Sequence, residues 1–426
     1  VSVAPESPKQ LTVRTVPLHD GRPLLAHLPE AAPLAWLRGG EGLVGWGEAA
    51  RITLPAENGG SGGSGVQRFG AAARWLAEVL ARAEVTDALD LPGTGPVVFG
   101  GFTFAPDSAG STLVLPRVVI GRRGDRTWLT TVGDGPGARP ADVLREVRPL
   151  RPVGRLAWRD GTPDAGQWRA AVAEAVARIR AGALDKVVLA REVHADAPAD
   201  IDVRTLLARL SRDYPGCYTF SVAGMVGATP ELLIRREGDD VTSLVLAGTR
   251  ARGGTPEEDA RLAADLTGSA KDVEEHRYAV DSLRATLTPL CSSIDVPDLP
   301  ELLRLANVQH LASPVRGTLR PEVSTLDVVA AMHPTAAVGG TPTPTAVDLI
   351  RDLEGTDRGR YAGPVGWLDA RGNGEWGIAL RCAEITGPRA RLFAGCGIVA
   401  GSDPDAELAE ADSKFRVMRE ALTDGT

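Results

Sequence analysis

YTFSVAGMVGATPELLIRR, residues 218–236, holds two strand-like runs, and DDVTSLVLAG, residues 239–248, adds another. No segment of helical period intervenes, so these strands follow one another directly. The pattern returns outward from here. DKVVLAREVHA reads as a strand from about Lys186 to Val193. GPVGWLDARG (363–372), EWGIALRCAEIT (375–386) and RARLFAGCGIVA (389–400) each read as a strand, with a hairpin around Gly372-Asn373-Gly374. Upstream, Leu43–Leu54 and Pro96–Ala105 read as strands, and Ser111–Val132 as a pair turning near Gly124-Asp125. Helices are expected over Phe69–Ala83, over Pro256–Leu266, over Lys271–Leu287 and over Pro404–Leu422. A further helix starts near Thr162 or Asp164 and carries Trp168, Val172, Ala175, Val176 and Ile179 at helical spacing. Strands in succession with helices grouped between them predict an α+β fold, not a doubly wound parallel sheet.

A chain of 426 residues allows two or three domains. The character changes near residue 154. Residues 1–154 are strands with Gly/Pro-rich turns, interrupted at 59–65 by GGSGGSG, a flexible composition that carries no chemistry. Residues 155–426 hold most of the helices and the chemically suggestive stretches. No apolar run approaches the roughly 20 residues that span a bilayer, and the first residues lack the basic-then-apolar pattern of a signal peptide. A cytoplasmic protein without membrane association is expected. Cys217, Cys291, Cys382 and Cys396 show no C-x-x-C spacing, which argues against a zinc ribbon or disulfide framework. The net charge of −8 disfavours nucleic-acid binding, and an anionic substrate would need a local cation or a metal. Neither a G-x-G-x-x-G turn after a strand nor a Walker sequence is present.

Of 47 basic residues only Lys9, Lys186, Lys271 and Lys414 are lysine. In a chain so rich in Ala, Gly and Pro, arginine has replaced lysine wherever a positive charge suffices. The remaining lysines are candidates for positions where the amine must lose its proton, which arginine cannot do. Lys9, near a polar terminus, needs no such role.

Two helices carry acids beside an apolar stripe. In SAKDVEEHRYAVDSL, Asp272 and Glu275 lie three apart, hence on one face, with Val273, His276, Val280, Leu283 and Leu287 as the stripe. In the last helix Glu407, Glu410 and Lys414 each precede a member of the stripe Leu408, Ala411, Phe415, Met418, Leu422. Clustered carboxylates repel unless neutralised, as by Mg²⁺. Helix capping at Ser269 and Asp403 and an i, i+4 Glu410–Lys414 pair account for the same residues without a metal.

Ten segments, in order, resemble the chorismate-utilising enzymes, which include isochorismate synthase, salicylate synthase and the synthase components for anthranilate and aminodeoxychorismate. They are KVVLAR (186–191), GATPELLI (227–234), LAGTRARG (246–253), KDVEEHR (271–277), VQHLASPVRGTL (308–319), HPTAAVGGTP (333–342), RGRYAGPVGW (358–367), IALRC (378–382), RLFAGCGIVAGSDP (391–404) and ELAEADSK (407–414). The N-terminal third resembles the family's variable part only loosely. The resemblance implies a single α+β fold like that of anthranilate synthase component one, with two stacked antiparallel sheets and helices outside. It implies Mg²⁺, with Glu275 and Glu410 as direct ligands and Asp272 and Glu407 holding metal waters. Asp272 departs from the Glu that many members carry there. By motif, Tyr361, Arg381, Lys414 and the Gly395-Cys396-Gly397 backbone hold substrate carboxylates, and Gly248, Thr249 and His310 line the pocket. His333 is given no catalytic role.

Family members add a nucleophile at C2 of chorismate as the C4 hydroxyl departs. Water as nucleophile needs a base on one face of the ring and an acid on the other. Lys186 and Glu231 match these positions. Apolar neighbours around Lys186 would lower its pKa by desolvation, and a fall from about 10.4 to near 7 corresponds to roughly 4–5 kcal/mol. The ammonia-using branch has a small residue there. Isochorismate synthase is therefore the expected activity, acting as a monomer with no obligatory amidotransferase. Salicylate synthase, which shares the lysine, is the alternative. An ammonia-using subunit and a catalytically silent binding module are disfavoured by Lys186 and by the intact acids.

Overall fold

The structure is a computed structural model that describes residues 10–57, 65–134, 143–144, 147–304 and 308–424, apart from the side chains of Ala247, Thr249, Lys271, Glu275 and Val308. Lys9 and residues 59–64 of the Gly/Ser stretch lie outside them. The described strands form one sheet of 13 and one of 10. Pairing is antiparallel throughout, save for Leu11–Pro17 beside Ala83–Asp87. The expected α+β fold of two large antiparallel sheets with helices outside is what forms. Strands from before and after residue 154 mix in both sheets. Leu34–Arg38 pairs with Tyr218–Val222 in the larger, and Val97–Gly101 pairs with Pro364–Asp369 in the smaller.

The inner faces meet over aromatic side chains. Trp36 and Phe220 come from the larger sheet and Phe99 and Trp376 from the smaller, all essentially without solvent contact. Phe102 bridges to Trp376 with ring centroids 5.6 Å apart. Such rings bury large area and dominate core energetics. Helices Ala165–Arg180, Val203–Asp213 and Pro404–Leu422 pack on the larger sheet, and Pro256–Thr267, Ala270–Leu287 and Thr325–Met332 on the smaller. Among the described residues, no helix is long and apolar enough to cross a membrane.

Several runs expected as one or two strands instead pass from one sheet to the other. Glu41–Trp46 belongs to the larger sheet and Ala50–Leu54 to the smaller. The chain turns between them at Gly47, whose φ of +69° favours glycine. The expected pair at 111–132 is three strands, Ser111–Leu115 in the smaller sheet and Val118–Arg123 and Arg126–Gly133 in the larger. The run at 218–236 is likewise three strands: Tyr218–Val222 and Met225–Thr229 in the larger sheet, and Leu232–Glu237 in the smaller. EWGIALRCAEIT divides into Gly374–Ile378 in the smaller sheet and Cys382–Thr386 in the larger. Each crossing takes only two or three residues, and most of the strands beside it are buried almost throughout, so no change of hydrophobic pattern reveals it. The helix expected over Phe69–Ala83 ends at Leu80, and Ala83–Asp87 adds an edge strand.

Candidate active site

Two of the sheet crossings lie side by side. Met225–Gly227 pairs with Cys382–Glu384 in the larger sheet, and Leu232 pairs with Gly377 in the smaller. The backbone between them is tied by Ile378 N–H to the Glu231 carbonyl at 3.1 Å and Ala228 N–H to the Arg381 carbonyl at 3.2 Å. Glu231 and Arg381 therefore stand at adjacent exits between the layers. Arg381 holds φ +49°. A non-glycine residue in this region costs on the order of 1–3 kcal/mol, a cost that recurs at functional sites. The turn carries the chain away from Arg389–Ile398, so on this side of that strand only Arg389–Leu392 is paired, with Ala383–Thr386. Beyond Leu392, no described strand covers that edge.

This open edge faces a small cavity of 100 Å³ lined by Tyr361, Arg381, Phe393, Gly395 and Lys414, among others. The structure thus brings together four of the residues expected to hold carboxylates. Lys414 Nζ donates to the Gly395 carbonyl at 2.7 Å and pairs with Glu410 at 2.7 Å. The Tyr361 ring stacks on Phe393 with centroids 4.9 Å apart, and burial raises its phenol pKa. No carboxylate pairs with the Arg381 guanidinium among the described residues. A cation inside a cavity without its own anion suits an anionic ligand.

Lys186 opens the strand Lys186–Asp196, which pairs with the whole of Arg389–Ile398. A Cβ at Gly397 would lie 2.8 Å from Lys186 Cε, and one at Gly395 would lie 3.2 Å from the Tyr361 hydroxyl. Both glycines face the site, two apart on one side of the strand, and their missing side chains make room for these groups. Cys396, between them, points the opposite way and donates its thiol to the Glu407 carbonyl at 3.4 Å. Glu231 lies within electrostatic reach of Lys186. Burial pushes the Glu231 carboxyl up to about 7, with the Lys186 charge pulling the other way. Glu231 lines a second cavity of 390 Å³, and Ala337 lines both it and the smaller one.

The remaining expected residues divide. Gly248 sits at φ +74° in a bulge where Thr249 pairs with His310 along the backbone. A Cβ at Gly248 would touch Asp272. Burial, with Arg381 nearby, lowers the His310 pKa. The Asp272 carboxylate is held by Arg250 at 2.7 Å. The side chains of Thr249 and Glu275 lie outside the described residues. His333 donates to the Phe104 carbonyl at 2.9 Å, and burial lowers its pKa to about 3, which makes it a neutral structural histidine. Arg250, Ala337, Val338, Glu354, Arg358 and Ser402 were not singled out from sequence. Most lie inside the quoted motifs, but nothing in their type or spacing marks them.

Residues 38–423 match the model of the family described as chorismate binding enzyme. The chain belongs to the chorismate-binding enzymes. It is similar to isochorismate synthase DhbC of Bacillus subtilis, 42% identical over 272 residues that cover 61% of this chain and 68% of that protein. It is 40% identical to the salicylate biosynthesis isochorismate synthase of Pseudomonas aeruginosa over 355 residues, 77% of this chain and 74% of that one. Among solved structures, the menaquinone-specific isochorismate synthase of Escherichia coli superposes with a TM-score of 0.80 at 27% identity, covering 98% of this chain and 97% of the other.

This chorismate-binding enzyme has an oxygen-donor pair suited to a hard divalent cation. Glu407, Glu410 and Cys396 each place a donor atom within 4.8 Å of the others. Burial, with the neighbouring Glu410 charge, raises the Glu407 pKa. That penalty falls when a cation sits between the carboxylates. Burial holds Cys396 up to about 12, so it remains a neutral thiol and a poor donor for Mg²⁺. Ser402 donates to Glu407 at 2.7 Å and fixes its orientation.

Proposed function

We propose that this chorismate-binding enzyme is an isochorismate synthase in which Lys186 is the base and Glu231 the acid. The observation that carries the reading is a lysine within electrostatic reach of a buried carboxyl that burial pushes up to about 7, beside the cavity Glu231 lines. The relatives named above, all isochorismate synthases, support the same activity. The neutral Lys186 amine takes a proton from the water that adds to C2 of chorismate. Glu231, half protonated near neutral pH, gives its proton to the C4 oxygen, which leaves as water. One water enters and one departs, so the reaction is an isomerisation. Arg381, Tyr361, Lys414 and the Gly395–Gly397 backbone hold the carboxylates. Gly248, Thr249 and His310 complete the pocket.

Glu410 and Glu275 are the residues proposed to hold Mg²⁺ directly, with Glu407 and Asp272 holding its waters. When bound, the ion supplies positive charge against the substrate's ring carboxylate. Incubation with chorismate and Mg²⁺, with and without ammonium, tests the reading. Isochorismate is expected in both cases. Salicylate with pyruvate would assign the chain to salicylate synthesis, and an aminated product would overturn the water-using mechanism.

A further inference from the structure

The outer edge of the Lys186 strand is only partly covered by other strands. Gly340–Thr341 pairs with Lys186 and Val187, and Ala157–Asp160 pairs with Val193–Asp196. Over the intervening residues, side chains take the place of a strand. The Val188 carbonyl accepts from Arg358 Nη2 at 2.6 Å, and Ala190 N–H donates to Glu354 Oε1 at 2.7 Å. The Ala190 carbonyl accepts from Trp168 Nε1 at 3.0 Å. Arg358 Nε also donates to Glu354 Oε2 at 2.8 Å, and Nη1 donates to the Val338 carbonyl at 2.9 Å. Glu354 and Arg358 are 3% and 5% exposed, and the guanidinium lies 4.2 Å from the Phe104 ring centroid.

A buried ion pair contributes little net stability over well-packed apolar side chains. What it adds is directed donors and acceptors, and these reach two segments of the site. One segment is the strand carrying Lys186, two residues before the held Val188 carbonyl. The other is Val338, which lines the cavity with Tyr361, Arg381 and Lys414. We propose that Glu354 and Arg358 are positioning residues that fix the distance between the Lys186 amine and the cavity taking the substrate carboxylates. This rests on the proposed roles of Lys186 and Arg381. The planar fork of arginine suits the task because it binds a carboxylate and two carbonyls at fixed angles. Lysine would keep the charge and lose the geometry.

The test compares Arg358→Lys and Glu354→Gln with the wild-type enzyme in steady-state turnover of chorismate, with the folded fraction measured by near-ultraviolet circular dichroism. Glu354→Gln retains an acceptor for Ala190 N–H and is the milder change. Both variants are expected to keep KM within about threefold of wild type. The kcat per folded molecule should fall on the order of 10²-fold, the effect of misplacing a reacting group by about 1 Å. The double variant should be no worse than the poorer single one, since the pair acts as a unit. Unchanged kcat per folded molecule, parallel changes in KM and kcat, or failure of Glu354→Gln to fold would overturn the proposal. The product made by the wild-type enzyme reports separately on the proposed function.

Discussion

Glu231→Gln should make the protein more stable and the enzyme inactive, in a way that depends on pH. Burial raises the Glu231 carboxyl from its ordinary 4.5 to about 7. At about 1.4 kcal/mol per pH unit, this amounts to about 3 kcal/mol. A raised carboxyl pKa means that the folded state holds its proton more tightly than the unfolded chain. Its stabilising contribution is complete below about pH 4.5, declines as pH rises, and is gone above about pH 7. Glutamine has no proton to lose. Urea unfolding of both proteins from pH 4.5 to 8.5 should therefore show the variant gaining on wild type by about 3 kcal/mol in total, with the gain levelling off above about pH 7. At pH 7 and below the variant should turn over chorismate about 10²–10⁴-fold more slowly, the range for loss of a general acid, and the gap should narrow above pH 7 as the wild type loses the same proton. A stability difference that does not change with pH would mean that Glu231 titrates normally. Wild-type-like turnover would remove it from the acid role.

Lys186→Arg should lose turnover by about 10²-fold or more while chorismate still binds, as measured by equilibrium dialysis with Mg²⁺ present. Gly397→Ala puts a methyl group 2.8 Å from Lys186 Cε. The lysine is flexible and can give way, so thermal unfolding should change little while kcat drops about tenfold or more. Arg381→Gly should relieve a backbone held at φ +49° and recover about 1 kcal/mol in thermal unfolding. KM for chorismate should rise about tenfold or more through loss of a charge-assisted hydrogen bond. Glu410→Gln should raise the Mg²⁺ concentration that gives half-maximal activity by about tenfold or more, and calorimetric titration with Mg²⁺ alone should show the same weakening.

The succession of strands at 218–248, the acidic margins of two helices and the rarity of lysine were enough to place the chain in an α+β class and to mark Lys186, Glu410 and Lys414 as chemically suggestive. The ordered motifs, read as a resemblance, gathered the other candidates. These signals are legible because side-chain alternation, helical spacing and the proton chemistry of lysine against arginine are local properties of the chain. The sheet crossings at Pro230-Glu231 and at Arg381 were not legible, since strands buried on both faces flank them and the hydrophobic pattern does not change there. Only the fold sets these two crossings side by side, which brings Glu231 near Lys186 and opens the strand edge beside Gly395. Tertiary structure also determined that Asp272 is held by Arg250 and that Glu354 and Arg358 stand in for a missing strand. Partners separated by up to 170 positions in the chain leave no local pattern, because what selects them is the need to satisfy buried polar groups once the sheets have closed.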